Sequence, residues 1–326
     1  MIIVRTPLRV SLFGGGTDFP EFFSRHGGAV LGTAIDKYIY HTVSHLPSWL
    51  FDHKIRFSYR KVELAPDLES VEHTPFREIL RYCGVERDVE VNLASDLPSF
   101  SGLGSSSSFS VGLIKGLRAL QGRAIGQEEL ARCAIHVERD VLRETVGLQD
   151  QVFAACGGLN LVRFSGNGEF NVERIAISPD RMRALNDSML LYFTGLTRKA
   201  QEVEKAKLGK LASNEATLKS MLALVEEAHR VLVGNGDVGA LGELLHANWL
   251  EKRKLDASVS APEIDSLYDR AMKAGALGGK LLGAGGGGFM LLLVPPSRQA
   301  QVRAALASHH EVKIGINAPG STVVHA

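Results

Sequence analysis

The stretch PSFSGLGSSSS, Pro98 to Ser108, joins two segments of different character. Before it, DVEVNLASDL (Asp88–Leu97) alternates with the period of two that a half-buried strand requires. After it, FSVGLIKGLRAL (Phe109–Leu120) spaces its apolar residues three and four apart, as a helix does. A glycine-rich turn feeding a helix gathers several backbone N–H groups into one concavity, and the helix N-terminus adds about half a positive charge. That combination is an anion site, with phosphate its usual occupant. The hydroxyls add donors, and a serine can also face a metal ion. The P-loop pattern G-x-x-x-x-G-K-[ST] is absent, because no lysine lies between Gly102 and Ile114. The cradle is therefore of another design. A flexible Gly/Ser linker is the competing reading, but linkers rarely run straight into an amphipathic helix.

Two further loops share this flavour. GAGGGG (Gly283–Gly288) precedes the apolar run FMLLLV (Phe289–Val294), and glycines before a core strand suggest close approach by another backbone or by a ligand. FGGGTDFP (Phe13–Pro20) sets Thr17 and Asp18 behind three glycines. A carboxylate there suits hydrogen bonds to the hydroxyls of a small ligand, and an Asx-type turn or cap is the equal alternative.

Around these loops, strands are expected at Ile2–Arg5, Leu8–Leu12, Ala29–Ile35, Tyr38–His45, Ile55–Tyr59, Val89–Leu93, Gly157–Phe164 and Phe170–Ile175. Helices are expected at Ser106–Gln121 and Gln127–Glu144. A boundary near Ser178–Asp180 divides the chain into units 1–180 and 181–326. Beyond it come a strand at Ser188–Thr194, a long amphipathic stretch at Arg198–Val233, helices at Asp237–Lys252, Ala261–Ala274 and Ser297–Ser308, and a last strand at Glu311–Ile316. Strands and helices mix without a regular βαβ rhythm, which favours an α+β fold in two lobes.

Composition narrows the function. The 326 residues carry a net charge of +1, which gives no reason to expect nucleic acid or an anionic membrane as partner. No apolar run approaches the roughly 18 residues of a membrane span, and the N-terminus does not read as a secretion signal. Cys83, Cys133 and Cys156 are isolated and lack metal-ligand spacing, so free thiols in a reducing, cytoplasmic setting are expected.

Taken together and in this order, PLRVSLFGGGTDFP (Pro7–Pro20), PSFSGLGSSSS and GGKLLGAGGGGFML (Gly278–Leu291) resemble the three motifs of the GHMP kinase superfamily. The resemblance spans nearly the whole chain. Within the superfamily, GGGTDFP, GLQDQVFAACGG (Gly147–Gly158), FTGLTRKA (Phe193–Ala200) and LGGKLLGAGGGGF are most similar to the D-glycero-D-manno-heptose 7-phosphate kinases. Fucokinase domains share the GGGTD form, whereas galactokinases carry a glutamate and a histidine where this chain has Gly15 and Gly16.

The resemblance implies an N-terminal lobe like ribosomal protein S5 domain 2, a ferredoxin-like C-terminal lobe, and a cleft where ATP meets a sugar phosphate. It implies that Ser101, Gly102, Leu103, Gly104, Ser105, Ser106 and Ser107 surround the ATP phosphates. It implies that Glu138 and a serine, Ser106 favoured over Ser105 and Ser107, ligate Mg²⁺. Asp150 matches the catalytic aspartate that accepts or orients the proton of the anomeric hydroxyl, and Arg9 matches an arginine that stabilises charge beside it. Gly15, Gly16, Thr17 and Asp18 would meet the sugar, together with Gly285 and Gly286 of the third motif. A 7-phosphate on the substrate needs cations, and Arg198, Lys199 and Lys280 are the candidates, with Arg253 and Lys254 behind them. The alternatives are a kinase for a non-phosphorylated sugar such as fucose, or a non-catalytic sugar- or nucleotide-binding relative. A monomer and a homodimer are both open.

Overall fold

The computed structural model describes residues 1–99, 101–197 and 200–326. It opens with two long antiparallel strands, β1 (Ile2–Phe13) and β2 (Gly28–His45), joined through helix α1 (Pro20–His26). The four short strands expected here are therefore two. Pro7 has no N–H to give the ladder, and the register slips between Pro7 and Leu8, where β2 accommodates Asp36 and Lys37. The bulge lets β1 run on instead of ending.

Strand β2 is long enough to hold two partners along one edge. Next come β3 (Ile55–Ser58), β4 (Val62–Ala65), β5 (Val89–Ser95), β6 (Leu159–Phe164) and β7 (Phe170–Arg174). β6 pairs with the first part of β2, and β5 with the second. Helices α2 (Thr74–Cys83), α3 (Ser105–Leu120), α4 (Gln127–His136) and α5 (Gln149–Cys156) follow, with α3 and α5 lying on β1 and β2. α3 lies close because two of its residues are glycines. A Cβ on Gly112 would come 2.5 Å from His41 Nδ1, and one on Gly116 2.7 Å from Val43 Cγ2. The helix expected over Gln127–Glu144 is α-helical only to His136, and Val137–Val141 form a π turn.

The expected boundary at Ser178–Asp180 falls at the start of α6 (Pro179–Asp187), which Ser178 caps. After β8 (Met189–Phe193), the long stretch expected from Arg198 splits at Gly209–Lys210 into α7 (Ala200–Leu208) and α8 (Leu211–Val233). Then come α9 (Ala240–Lys254), α10 (Pro262–Lys273), β9 (Gly278–Leu281), β10 (Phe289–Leu293), α11 (Gln299–Ala305) and β11 (Glu311–Val312). Four of these strands make a second sheet, ordered β11-β8-β10-β9. β10 is buried along its whole length, as its unbroken apolar run demands. Trp249, Tyr192 and Tyr268 lie within the core packed around this sheet.

The chain then returns. β12 (Thr322–His325) pairs with β1 and completes an eight-stranded first sheet. Its approach is fixed by Gly157, where a Cβ would fall 2.0 Å from the Gly320 nitrogen. The C-terminal residues thus belong with the first sheet, although they follow the second in sequence.

Candidate active site

Arg9 follows the β1 bulge and is almost fully buried. Its Nε and Nη2 donate to Asp150 Oδ1 and Oδ2, both at 2.8 Å. This two-pronged geometry suits a planar guanidinium and a carboxylate. The third arm, Nη1, donates to the Gly102 carbonyl at 2.6 Å, and Leu103 O accepts the Arg9 backbone N–H at 3.0 Å. One residue therefore holds both Asp150, in the first turn of α5, and the glycine-rich loop that starts α3.

Gly102 and Gly104 take φ of +78° and +75°, a region that L side chains rarely occupy. Gly104 is the N-cap of α3, so the helix begins without a side-chain cap. Its first N–H groups remain available to an anion. A Cβ on Gly104 would lie 3.1 Å from Arg9 Cγ and 3.3 Å from Asp150 Oδ2. The loop and the ion pair are in direct contact.

Glu138 lies in the π turn and is fully buried. Ser107 Oγ donates to its Oε2 at 2.9 Å and Gln151 Nε2 at 2.6 Å, while Oε1 has no partner. Burial pushes this carboxyl up to about 7, against the hydrogen bonds that favour its charge. Ser106, the serine favoured from sequence, is exposed, and the hydroxyl bonded to Glu138 is that of Ser107. No cluster of three or more His, Cys, Asp or Glu stands here among the described residues. A buried carboxylate oxygen with an open position, beside serine hydroxyls, nonetheless fits a cation that keeps waters and takes its other ligands from a phosphate.

Asp18 is also buried. Its Oδ1 accepts Gly16 N–H at 2.9 Å, and its Oδ2 accepts Gln149 Nε2 at 2.9 Å. Burial raises its pKa, the backbone N–H groups of Gly16 and Gln149 oppose the rise, and the charge of Asp150 adds to it. Gln149 precedes Asp150, so the first glycine loop and helix α5 are tied together. Gly15 stands beside Ser11 Oγ and Gln149 Nε2, and neither Ser11 Oγ nor Gln149 Oε1 has a hydrogen-bond partner.

Several expectations are corrected. The Thr17 hydroxyl is engaged by the carbonyls of Gly14 and Ala29 at 2.8 and 2.9 Å, so it shapes the loop. Gly285 and Gly286 are buried against the Val259 backbone, whose carbonyl accepts Gly286 N–H at 2.9 Å. The backbone approach suggested for that loop is present. Arg253 pairs with Asp265 at 3.0 Å and Lys254 with Glu251 at 2.5 Å, both in part-exposed ion pairs. Arg198 and Lys199 lie outside the described residues.

Lys280 is 2% exposed and donates from Nζ to Leu12 O at 3.0 Å, across from the second sheet to the first. Burial, with Arg9 and Lys207 nearby, brings its pKa down to about 7. Sequence reasoning missed Gln149, Gln151 and two further buried lysines, Lys207 and Lys252. The flanking glutamines of LQDQ were the available signal, since both reach acids, Asp18 and Glu138.

A two-lobed α+β chain that holds a carboxylate–guanidinium pair against an uncapped helix N-terminus is built for phosphoryl transfer. Residues 74–158 match the model described as GHMP kinases N terminal domain, and residues 221–312 that described as GHMP kinases C terminal. The chain is 33% identical to the D-glycero-alpha-D-manno-heptose 7-phosphate kinase of Campylobacter jejuni, over 94% of this chain and 93% of that one. It is 27% identical to the L-fucokinase/L-fucose-1-P guanylyltransferase of Bacteroides fragilis, over 86% of this chain and 33% of that longer protein. The crystal structure of a D-glycero-D-manno-heptose 1-phosphate kinase from Bacteroides thetaiotaomicron superposes with a TM-score of 0.81 at 24% identity, covering 100% of this chain and 99% of that one. The chain belongs to the GHMP kinase family, and it is an ATP-dependent phosphotransferase acting on a small-molecule substrate.

Proposed function

We propose that the chain transfers the γ-phosphoryl group of ATP to the anomeric hydroxyl of D-glycero-D-manno-heptose 7-phosphate, giving the 1,7-bisphosphate for nucleotide-activated heptose and surface polysaccharide. The observation that carries the reading is the two-pronged Arg9–Asp150 pair clamped beneath the start of α3. In this reading Ser101–Ser107 cradle the ATP phosphates, and the sugar O1 sits within reach of Asp150. O1 bonds to the γ-phosphorus, the bond from that phosphorus to the β–γ bridging oxygen breaks, and Asp150 takes or orients the O1 proton. Arg9 keeps Asp150 aimed and spreads positive charge toward the transferring group. Asp18, Gly15 and Gly16 face the sugar hydroxyls.

Mg²⁺ would be held by Glu138 with the Ser106 or Ser107 hydroxyl, and it would neutralise phosphate charge. The open Oε1 of Glu138 supports that assignment. We assign nucleotide binding chiefly to unit 1–180 and the completing wall to unit 181–326. No helix among the described residues is long and apolar enough to cross a membrane, and the proposed setting is the cytoplasm.

The fucokinase relative supports a second reading, a kinase for an unphosphorylated sugar. Coupled ADP release over a panel of sugars and sugar phosphates separates the two. Turnover with the heptose 7-phosphate well above that with fucose is expected. Turnover with fucose alone would replace the reading, and none with any sugar would point to a non-catalytic binding protein.

A further inference from the structure

We propose that Lys207, Lys252 and Lys280 form the seat for the substrate's second anionic group, the phosphate remote from the reacting hydroxyl, and that Glu204 is the internal counter-ion this phosphate displaces. The proposal rests on the phosphotransferase reading above and adds the residues that select a phosphorylated sugar.

The three lysines come from three separate elements, α7, α9 and β9. Lys280 Nζ reaches Leu12 O, in the strand that leads into the Asp18 loop. Lys252 Nζ donates to Leu281 O at 2.8 Å and Gly283 O at 2.6 Å, on either side of the turn that follows β9. An ammonium has three protons. These contacts occupy one on Lys280 and two on Lys252, which leaves donors on Lys280 and one more on Lys252 when an anion holds it protonated. Lys207 pairs with Glu204 at 2.7 Å, and both side chains are at most 15% exposed.

The groups also sense one another. Lys280 and Lys207 drive the pKa of Lys252 down, beneath the larger effect of burial, while Glu204 opposes them. Arg9 and Lys207 act on Lys280 in the same sense, and Asp18 opposes. Four basic side chains, Arg9, Lys207, Lys252 and Lys280, gather here with three acidic ones, Asp18, Asp150 and Glu204. Asp150 is already engaged on both oxygens by Arg9. Gathering ammonium groups away from water is costly unless an anion joins them.

Asn248 gives independent support. It is fully buried, and neither Oδ1 nor Nδ2 has a partner. It lies one turn before Lys252 on α9, hence on the same helix face. A buried amide with free donors beside unspent ammonium protons awaits an acceptor. A phosphate dianion supplies enough oxygens for such a set, and point-charge lysines suit it. The link from Lys280 to Leu12 and Asp18 puts this seat on the sugar side of Arg9 rather than along α3.

The test compares D-glycero-D-manno-heptose 7-phosphate with the unphosphorylated heptose by ADP release, in the full chain and in Lys207→Met, Lys252→Met and Lys207→Arg. Removing one charge-assisted hydrogen bond should lower the kcat/KM preference for the phosphorylated sugar roughly 10- to 100-fold. The loss should appear in KM for that sugar, with KM for ATP moving less than about threefold. Lys207→Arg should restore most of the preference. Lys207 is at the edge of the cluster, so its variant tests the proposal even if Lys252→Met does not fold. An unchanged preference overturns the proposal, and so does a rise confined to KM for ATP, which would assign the cluster to the nucleotide. If the unmodified chain turns over neither sugar, the function proposed above fails by itself. Calorimetry with inorganic phosphate then decides the seat: heat that Lys207→Met abolishes supports it, and absence of heat contradicts it.

Discussion

Gly102 and Gly104 in the first glycine-rich loop of the cleft, and Gly285 and Gly288 in the second, all take positive φ. Gly102 makes room for the Leu282 backbone, 2.7 Å away, but Gly104 differs from the second loop in the atoms it accommodates. At Gly104 the missing Cβ leaves space for Arg9 and Asp150, the pair to which we assign the chemistry. At Gly285 it leaves space for the Val259 backbone, 2.8 Å away, and at Gly288 for the Ser101 carbonyl, 2.4 Å away. The second loop is a buttress: Gly283 and Gly288 rest on Gly102 and Ser101, so it supports the cradle from behind. Glycine enrichment in a sequence thus marks where something comes close, and the fold decides whether that is backbone or ligand.

Substitutions can break this contrast. Gly104→Ala should do the most damage to catalysis, on the order of 100-fold in kcat, because a small displacement of Asp150 ruins alignment. The measurement is steady-state ADP release alongside a melting curve. Gly285→Ala should instead cost stability, about 3 kcal/mol or more from strained φ and a backbone clash. Its folded fraction should keep kcat within about threefold; a purely catalytic defect there would erase the distinction between the loops.

Glu138→Gln sharpens the contrast on the cradle side. The wild-type carboxyl titrates at about 7 when folded, above its usual 4.5. The folded state therefore holds a proton that the unfolded chain has already released. Its stabilising contribution is complete below pH 4.5 and is lost as pH rises toward and through 7. In the absence of nucleotide, Glu138→Gln should gain stability relative to wild type across that window, by up to about 3 kcal/mol, while losing activity at pH 8. A difference in Tm that stays flat from pH 4.5 to 8 would contradict the buried, poorly compensated carboxylate. The smallest effect is expected at Arg253→Ala, which removes a partly exposed ion pair worth about 0–1 kcal/mol and should leave turnover unaltered.

The order of the motifs made the fold and its family legible, because two of the three glycine loops lead into an element readable from sequence, α3 and β10, whereas α1 after the Phe13–Pro20 loop was not read. Arg9, Asp18, Glu138 and Asp150 could be singled out by motif position, and they converge in space. What sequence could not convey was partnership. Thr17 sits in the same motif as Asp18, yet its hydroxyl faces Gly14 and Ala29. Lys252 sits in a charged helix end, EKRK, and only packing of α9 against β9 distinguishes it from its solvent-facing neighbours. β12 pairs with β1 from the opposite end of the chain, and a short strand completed by so distant a partner carries no local signal.

The most direct measurement is made on Asp150→Asn, which keeps the shape of the side chain beside Arg9 and removes its charge. Nucleotide binding by calorimetry is paired with single-turnover phosphoryl transfer. The account predicts ATP affinity within about threefold of wild type and a transfer rate lowered by roughly 100-fold or more, the scale of a lost positioned acid–base group. Phosphoryl transfer at near wild-type speed would contradict it.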